Sequence, residues 1–394
     1  MPPASTLISV DEARLRMLAA VTPLGAENVS ADAIGPGRVL AEDVVAARPQ
    51  PPFRSSAMDG WAVRQGGAEY AVVGESAAGA PFGGELGAGE AVRIFTGAAV
   101  PDGVDTVVIQ EDAVVEGARV RFTGQPKCGA NIRPLGGDFQ AGDLLLARGQ
   151  VLGPCQLALA AAAGRGEVRV ARSPRIALVA CGDELAQPGN PAAVHQIYES
   201  VTPALAMKVR AWGGTPSRAL LPDSAEAICA ALTASDADLI VTVGGASVGD
   251  RDLMKAALAD LGAELLVNKV AMRPGKPVFF ARLPDGTLLL GLPGNPASAM
   301  VCAELFLWPL MRALQGADPH RPLNILPLAA AMGANGPREH WMRGRIEGGA
   351  VSPFPDQDSS LVSVLSRSNA LIRRLAGAPA AHAGEPVGVL RLEP

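Results

Sequence analysis

From Arg175 onward the chain alternates short, nearly all-apolar runs with longer stretches of helical spacing. RIALVACG (175–182), RALLPD (218–223), DLIVTVGG (238–245), ELLV (264–267), VFFARL (278–283) and TLLLGL (287–292) read as strands. VTPALAMKVRAW (201–212), SAEAICAALTAS (224–235), DLMKAALADLG (252–262) and ASAMVCAELFLWPLMRAL (297–314) read as helices. A run as apolar as DLIVTVGG is expected where both faces of a strand are covered, which happens in a parallel sheet flanked by helices.

Upstream the rhythm is different. Ser9 and Glu12 match a capping box ahead of an apolar stripe through Val10, Ala13, Met17 and Leu18, so a helix to about Ala20 is predicted. RVLAEDVVAAR (38–48) alternates like a strand, and the prolines of PQPPFRSSAMDGWAV (49–63) impose extended backbone before a polar turn at Ser55–Gly60. Glycine punctuates short β runs from Glu69 to Phe122, the last of them a hairpin turning at Glu116-Gly117. Asp138 and Asp143 close two Gly-Asp pairs in loops before a strand, and Pro154–Ala163 reads as a helix stopped by Gly164. Beyond Arg321, NILPLAAAM, WMRGRIEG, LVSVLSRSNALIRRL and VGVLRLEP predict a small all-β tail. An α/β domain with two β-rich neighbours follows, in keeping with 394 residues, more than one core usually serves.

Composition narrows the function classes. A formal charge of −5 without a clustered basic face argues against nucleic acid as partner. The first residues lack the apolar core of a signal peptide, and no run is expected to reach the ~18 apolar residues of a membrane span, so a cytoplasmic location is predicted. The five cysteines are widely spaced with no CxxC, which favours reduced, mostly buried thiols over disulfides or zinc.

The candidate chemistry lies between Leu239 and Ala299. Three glycine-bearing turns, GGASVGDRD, MRPGKP and GLPGNPASA, each follow or join an aliphatic run, as in α/β sites that bind anions at exposed backbone N–H groups. Lys269, Arg273 and Lys276 cluster around Pro274-Gly275, a turn that points to a phosphate or oxyanion. Asp250 and Asp252 beside the first turn suit a cation-bridged phosphate, and equally a helix cap at Asp252. Glu184 follows the strand RIALVACG at the end where open sheets bind ligands. Asp223 with Glu226 reads either as a capping pair or as a site residue. Asp59 reads either as a turn cap or as a site residue, and so do Thr96 and Gly97 in their β-domain loop.

Taken together, PPFRSSAMDGWAV, FTGAAVPDGVDTVVIQED, NIRPLGGD, CGDEL, GGASVGDRD, MRPGKP, GLPGNPASA and the QDSS turn resemble, in this order, the molybdopterin molybdenumtransferases. The resemblance implies a multidomain α/β plus β protein, its central domain a three-layer α/β sandwich with a mostly parallel sheet. It implies an N-terminal helix (1–26) packed on an α/β domain at 173–320, a small connecting domain from 27–48 and 141–172, an inserted β-rich domain at 49–140 and a C-terminal β-barrel-like domain at 321–394. It implies insertion of molybdenum from molybdate into adenylylated molybdopterin, with Mg²⁺-dependent release of AMP. Asp59, Asp138, Glu184, Asp252, Lys269, Arg273 and Lys276 would carry the chemistry, with Asp59, Glu184 and Asp252 holding Mg²⁺. Substrate contacts would fall on Ser56, Thr96 and Gly97, on Asp223, on Gly244, Gly245, Ser247 and Gly249, and on Pro293, Gly294, Asn295 and Ser298. Arg343, Ser359 and Ser360 are similar to the family's oxyanion ligands. A homodimer that combines motifs of two subunits is implied, with a molybdopterin adenylyltransferase and apo-molybdoenzymes as partners. The alternatives are such an adenylyltransferase, which resembles the central domain alone, and a non-catalytic pterin-binding scaffold. This chain departs from the family at Arg54-Ser55, at Trp61 and at Arg273, where lysine is common.

Overall fold

The structure, a computed structural model, describes residues 7–124, 127–245 and 253–392. The chain divides into two units, one made of Met1–Glu42, Gly149–Gly153 and Arg169–Pro394, the other of Asp43–Arg148 and Pro154–Val168. The first opens with α1 (Val10–Ala19), which buries Val10, Ala13 and Met17. The Ser9 hydroxyl accepts the Glu12 N–H at 3.1 Å, as a cap should. The reciprocal half of the expected capping box is not made, because the Glu12 carboxylate turns outward to Arg16 at 2.7 Å.

In the second unit, β1 (Ser55–Ser56) pairs with β8 (Ile132–Arg133). The strands β2 (Gly60–Val63), β3 (Glu69–Ser76), β4 (Glu90–Ile94), β5 (Thr106–Ile109), β6 (Ala113–Glu116) and β7 (Arg119–Phe122) form one sheet in the order β5-β2-β4-β3-β7-β6. Strand periodicity sends Ala62 to one apolar cluster with Val92, Ile94 and Val107, and Trp61 and Val63 to another with Tyr70, Ala91 and Val108. Both faces are therefore covered, which is why all of β2 is buried. The hairpin β6–β7 turns after Glu116 as predicted, with Glu116 opposite Arg119. A helix, α2 (Pro154–Ala162), follows.

The main sheet of the first unit contains β9 (Arg175–Cys181), β12 (Thr215–Leu221), β13 (Leu239–Val243), β14 (Glu264–Val267), β16 (Phe279–Arg282) and β17 (Leu288–Leu292), in the order β12-β9-β13-β17-β16-β14. The first four are parallel, β16 runs antiparallel to β17, and β14, antiparallel to β16, returns to the direction of the first four. Along β13, Leu239, Val241 and Val243 enter a core cluster with Met17, Leu205, Phe306 and Leu310, whereas Ile240 enters another with Ile228, Leu232, Met254 and Leu258. One face is thus covered by α1, α3 (Val201–Ala211), α6 (Pro296–Cys302) and α7 (Trp308–Leu314), the other by α4 (Ala225–Thr233) and α5 (Leu253–Asp260). This is the expected three-layer domain. Between β9 and α3, a short parallel pair joins β10 (Leu185–Ala186) to β11 (Ile197–Tyr198).

The C-terminal part is strand-rich, with β18 (Asn324–Pro327), β19 (Glu339–Glu347), β20 (Ala350–Pro353), β21 (Ala370–Arg374) and β22 (Pro386–Arg391). They pair as β19-β21-β22-β18, with β20 on the other side of β19. Leu328 bridges Val351, and the Ala329 N–H reaches the Val351 carbonyl at 2.9 Å, so the two ends of the sheet meet. A two-residue strand, β15 (Met272–Arg273), adds in parallel to Glu339 and His340 and ties this barrel to the α/β domain.

Several expectations are corrected. The tail is not all strand, because Val362–Arg367 forms α8, whose turns are closed by Ser366, Arg367 and Ser368 side chains donating to carbonyls three or four residues back. The cap of α4 is Ser224, whose hydroxyl accepts the Ala227 N–H at 3.3 Å; Asp223 and Glu226 are not a capping pair. Pro296–Leu314 does have the length and apolarity of a membrane span, and almost all of it is buried as the core helix of the three-layer domain. All five thiols are free, but Cys128 and Cys155 are exposed and only Cys181 and Cys302 are fully buried.

Candidate active site

The sheet itself creates the site. The chain runs from β9 outward to β12, then returns past β9 to β13, so the direction of strand addition reverses between β9 and β13. Ligands of open α/β sheets bind outside the carboxyl ends of the strands at this switch point. A cavity of about 1000 Å³ lies there, lined by Cys181 and Gly182 after β9, Asp223 after β12, Val243 to Gly245 after β13, and Pro293 to Ser298 after β17. Gly244 (φ 86°) must be glycine, since a Cβ would stand 2.7 Å from the Cys181 carbonyl oxygen. Bare backbone therefore faces the cavity where the two diverging loops meet.

The cations come from the turn between β15 and β16. Arg273 and Lys276 are both exposed and line the cavity. Neither has an ion-pair partner among the described residues, so their charge is open to a ligand. The turn that presents them needs Gly275 (φ 115°), because a Cβ there would lie 2.5 Å from the buried Cys302 sulfur. Lys269 is half-buried and is not among the lining residues.

A third wall comes from the barrel. The Asn295 amide donates to the Ser359 hydroxyl at 2.7 Å, and the Ala297 N–H to the Ser359 carbonyl at 3.0 Å, so the start of α6 and the QDSS turn are sewn together. Ser360 donates through its hydroxyl (2.6 Å) and N–H (2.8 Å) to Asp358, which holds that carboxyl below the usual range. Arg343 does not reach the cavity. It is fully buried and acts from behind, Nη1 donating to the Asp358 carbonyl at 2.8 Å while Gln357 bonds its backbone N–H and carbonyl. Its Nη2 has no hydrogen-bond partner among the described residues. Gln357 and Asp358 of the QDSS turn also line the cavity, as does Arg338, which did not stand among the predicted contacts. His340, facing an adjoining hollow, is buried, and this together with Arg273, Arg343 and Arg338 drives its imidazole pKa down to about 4.

The acidic side of the cavity carries Glu184 and Asp223. The Asp223 N–H is held by the Asp183 carboxylate at 3.1 Å, which sets the loop after β12 against that after β9. Among the described residues no three histidine, cysteine or acidic side chains gather as a ready-made metal site. Ser247, Gly249 and Asp252 lie outside the described residues.

In the other unit, Ser56, Asp59, Thr96 and Gly97 come together. Gly97 N–H donates to the Ser56 carbonyl at 2.8 Å, and the Thr96 N–H and hydroxyl both donate to Asp59 at 2.7 Å. Those two bonds lower the Asp59 pKa. The carboxylate thus braces a neighbouring loop instead of capping its own turn. Asp138 is exposed, its N–H bonded to the Gln50 carbonyl at 2.9 Å.

Comparison with known proteins agrees with this architecture. Residues 8–164 match the MoeA N-terminal region (domain I and II), 177–313 a probable molybdopterin binding domain, and 326–392 the MoeA C-terminal region (domain IV). The chain is 37% identical to the molybdopterin molybdenumtransferase of Haemophilus influenzae over 79% of its length and 78% of the relative's. It is 34% identical to that of Synechococcus elongatus over 94% and 95%. The crystal structure of a molybdopterin biosynthesis MoeA protein from Pyrococcus horikoshii superposes with a TM-score of 0.81 at 25% identity, covering 98% of this chain and 99% of that one.

Proposed function

Because this chain belongs to the molybdopterin molybdenumtransferase family, enzymes of molybdenum cofactor biosynthesis, we propose that its cavity binds adenylylated molybdopterin and molybdate, cleaves the phosphoanhydride and releases AMP as molybdenum enters the dithiolene. The observation that carries this reading is the convergence of bare glycine turns, the open cations Arg273 and Lys276, and the carboxylates of Glu184 and Asp223 on one cavity at the sheet's switch point.

Each part has work suited to its chemistry. The N–H groups of the loops at Gly244 and Gly294 donate to phosphate oxygens at the carboxyl ends of β13 and β17. Arg273 and Lys276 offset the charge that builds on those oxygens as the anhydride breaks. Arginine brings a planar fork to this role where a lysine brings a point charge. Ser359, whose hydroxyl accepts from Asn295 and keeps its own proton, offers a donor to a small tetrahedral dianion such as molybdate, while the Ser360 hydroxyl is engaged by Asp358 and Arg343 is a positioning residue that fixes the turn through the Asp358 carbonyl.

Glu184 and Asp223 would hold a Mg²⁺ ion, a cation commonly bound by one or two carboxylates. Bound there, it would neutralise phosphate charge. Asp59 belongs to the second set of motif residues, and its carboxylate is kept ionised by Thr96.

The test is incubation of the purified protein with adenylylated molybdopterin, Mg²⁺ and molybdate, following AMP and metal-bound pterin together. The parent is expected to release AMP in a molybdate-dependent way. Lys276→Ala and Asp59→Ala are expected to lose at least 100-fold in rate, a typical cost of removing one transition-state contact, with unchanged circular dichroism. Parental activity in both variants would overturn the site.

A further inference from the structure

One wall of the cavity differs from the rest. Beside walls built of backbone, prolines, cations, carboxylates and hydroxyls, Leu185, Ile197 and Tyr198 form an apolar border. Ile197 is 60% exposed and Tyr198 52%. Tyr198 is also the one aromatic side chain among the lining residues, in a chain that has only two tyrosines. Its ring meets no other ring among the described residues. Apolar side chains grouped in the open beside a polar cavity call for an explanation that folding does not supply.

The backbone beneath them is firmly held. Leu185 and Ala186 pair in register with Ile197 and Tyr198. The Ile197 N–H donates to the Glu184 carbonyl at 2.8 Å, and the Glu199 N–H to the Ala186 carbonyl at 2.9 Å. Glu199, the next side chain, is buried, and its carboxylate accepts the N–H groups of Val201 (2.8 Å) and Thr202 (2.7 Å) at the start of α3. Tyr198 is therefore pinned on both sides while its ring remains free. An aromatic face on a rigid support, beside a site for phosphate, suits a flat nitrogen heterocycle joined to that phosphate, because stacking is favourable and needs little reorganisation.

We propose that Tyr198, backed by Leu185 and Ile197, is a stacking platform for a heteroaromatic ring of the phosphorylated substrate. This rests on the reading above that Arg273, Lys276 and the glycine turns take the substrate's phosphates. Adenine and pterin share the required chemistry, and the probes distinguish them.

The experiment measures equilibrium binding of AMP, of 6-hydroxymethylpterin phosphate and of ribose 5-phosphate, which has no heteroaromatic ring. The parent, Tyr198→Phe and Tyr198→Ala would be compared, with thermal unfolding to establish that each variant is folded. The parent is expected to bind at least one ringed phosphate more tightly than ribose 5-phosphate. Tyr198→Ala is expected to weaken that ligand about tenfold or more, the usual loss when an aromatic partner of a base is removed, while Tyr198→Phe keeps the affinity and ribose 5-phosphate is unaffected. The probe that loses affinity identifies the ring. If Tyr198→Ala binds the ringed phosphates as tightly as the parent, the platform is overturned and the phosphate site stands. If no phosphate binds the parent, the phosphate reading fails and the platform with it.

Discussion

His340 illustrates how a single side chain can be tuned by the company it keeps. Burial and three neighbouring arginines lower its imidazole from 6.5 to about 4, and its Nε2 has no hydrogen-bond partner among the described residues. In the folded chain the ring stays neutral down to that pH, whereas in the unfolded chain it takes a proton near 6.5. Between those values the unfolded state binds the extra proton, so acid draws the equilibrium toward unfolding. The contribution is fully present above about pH 6.5 and is lost as the pH falls toward 4. His340→Gln, which has no proton to gain, is expected to flatten the fall of the melting temperature across this window, leaving the value at pH 8 little changed. A parallel decline in both proteins would show that His340 does not govern the acid limb. Arg343 gives the complementary lesson. In the sequence it is an arginine grouped with the later QDSS turn as an anion ligand; in the fold it is wholly buried and grips the turn's backbone.

At the scale of elements, the caps decide between readings that the sequence left open. Asp223 and Ser224 are adjacent and both suited to cap α4, but the hydroxyl of Ser224 makes the bond and Asp223 faces the cavity. Ser224→Ala is expected to lower stability by about 1 kcal/mol with the reaction intact, and Asp223→Ala to leave stability within about 0.5 kcal/mol while impairing turnover. The reverse pattern in denaturant titration and AMP release would return Asp223 to a capping role. What was legible in the chain follows the same logic. The inner strands β9, β13, β16 and β17 could be read because both of their faces are apolar, and the turns Gly244-Gly245, Pro274-Gly275 and Pro293-Gly294 because backbone that approaches a ligand closely leaves a glycine signature. The helix Val362–Arg367 was not legible, since one buried residue, Val364, sets no period and side-chain bonds close its turns. Nor was Arg338, whose place depends on Met272–Arg273 pairing with Glu339–His340. A parallel pairing across more than sixty residues leaves no local trace.

For the molecule as a whole, the question is whether barrel and α/β domain can be loosened separately. Trp341 in β19, Leu371 in β21 and Leu390 in β22 belong to the same buried cluster as Met17, Leu205, Phe306 and Leu310. Ala370, Ile372 and Val389 fill the barrel's own core, so side chains on the opposite face of its strands join the core of the three-layer domain, and the cavity wall at Ser359 is held to α6 by Asn295. If that shared core is one cooperative unit, a void in the barrel must weaken strands far from it in sequence. Trp341 is 2% exposed, and Trp341→Ala should cost about 3–5 kcal/mol. Hydrogen exchange is expected to speed up to a similar degree in β13, at the centre of the main sheet, and in β21, beside the substituted residue, because both would open through the same global event. Faster exchange confined to β19–β22, with β13 as protected as before, would show that the barrel opens alone. The substrate cavity would then lose one wall without the sheet unfolding, and thermal inactivation would precede thermal melting. Coincident curves for activity and unfolding are expected instead, since the residues that hold the Ser359–Ser360 turn and those that hold the glycine loops share one core.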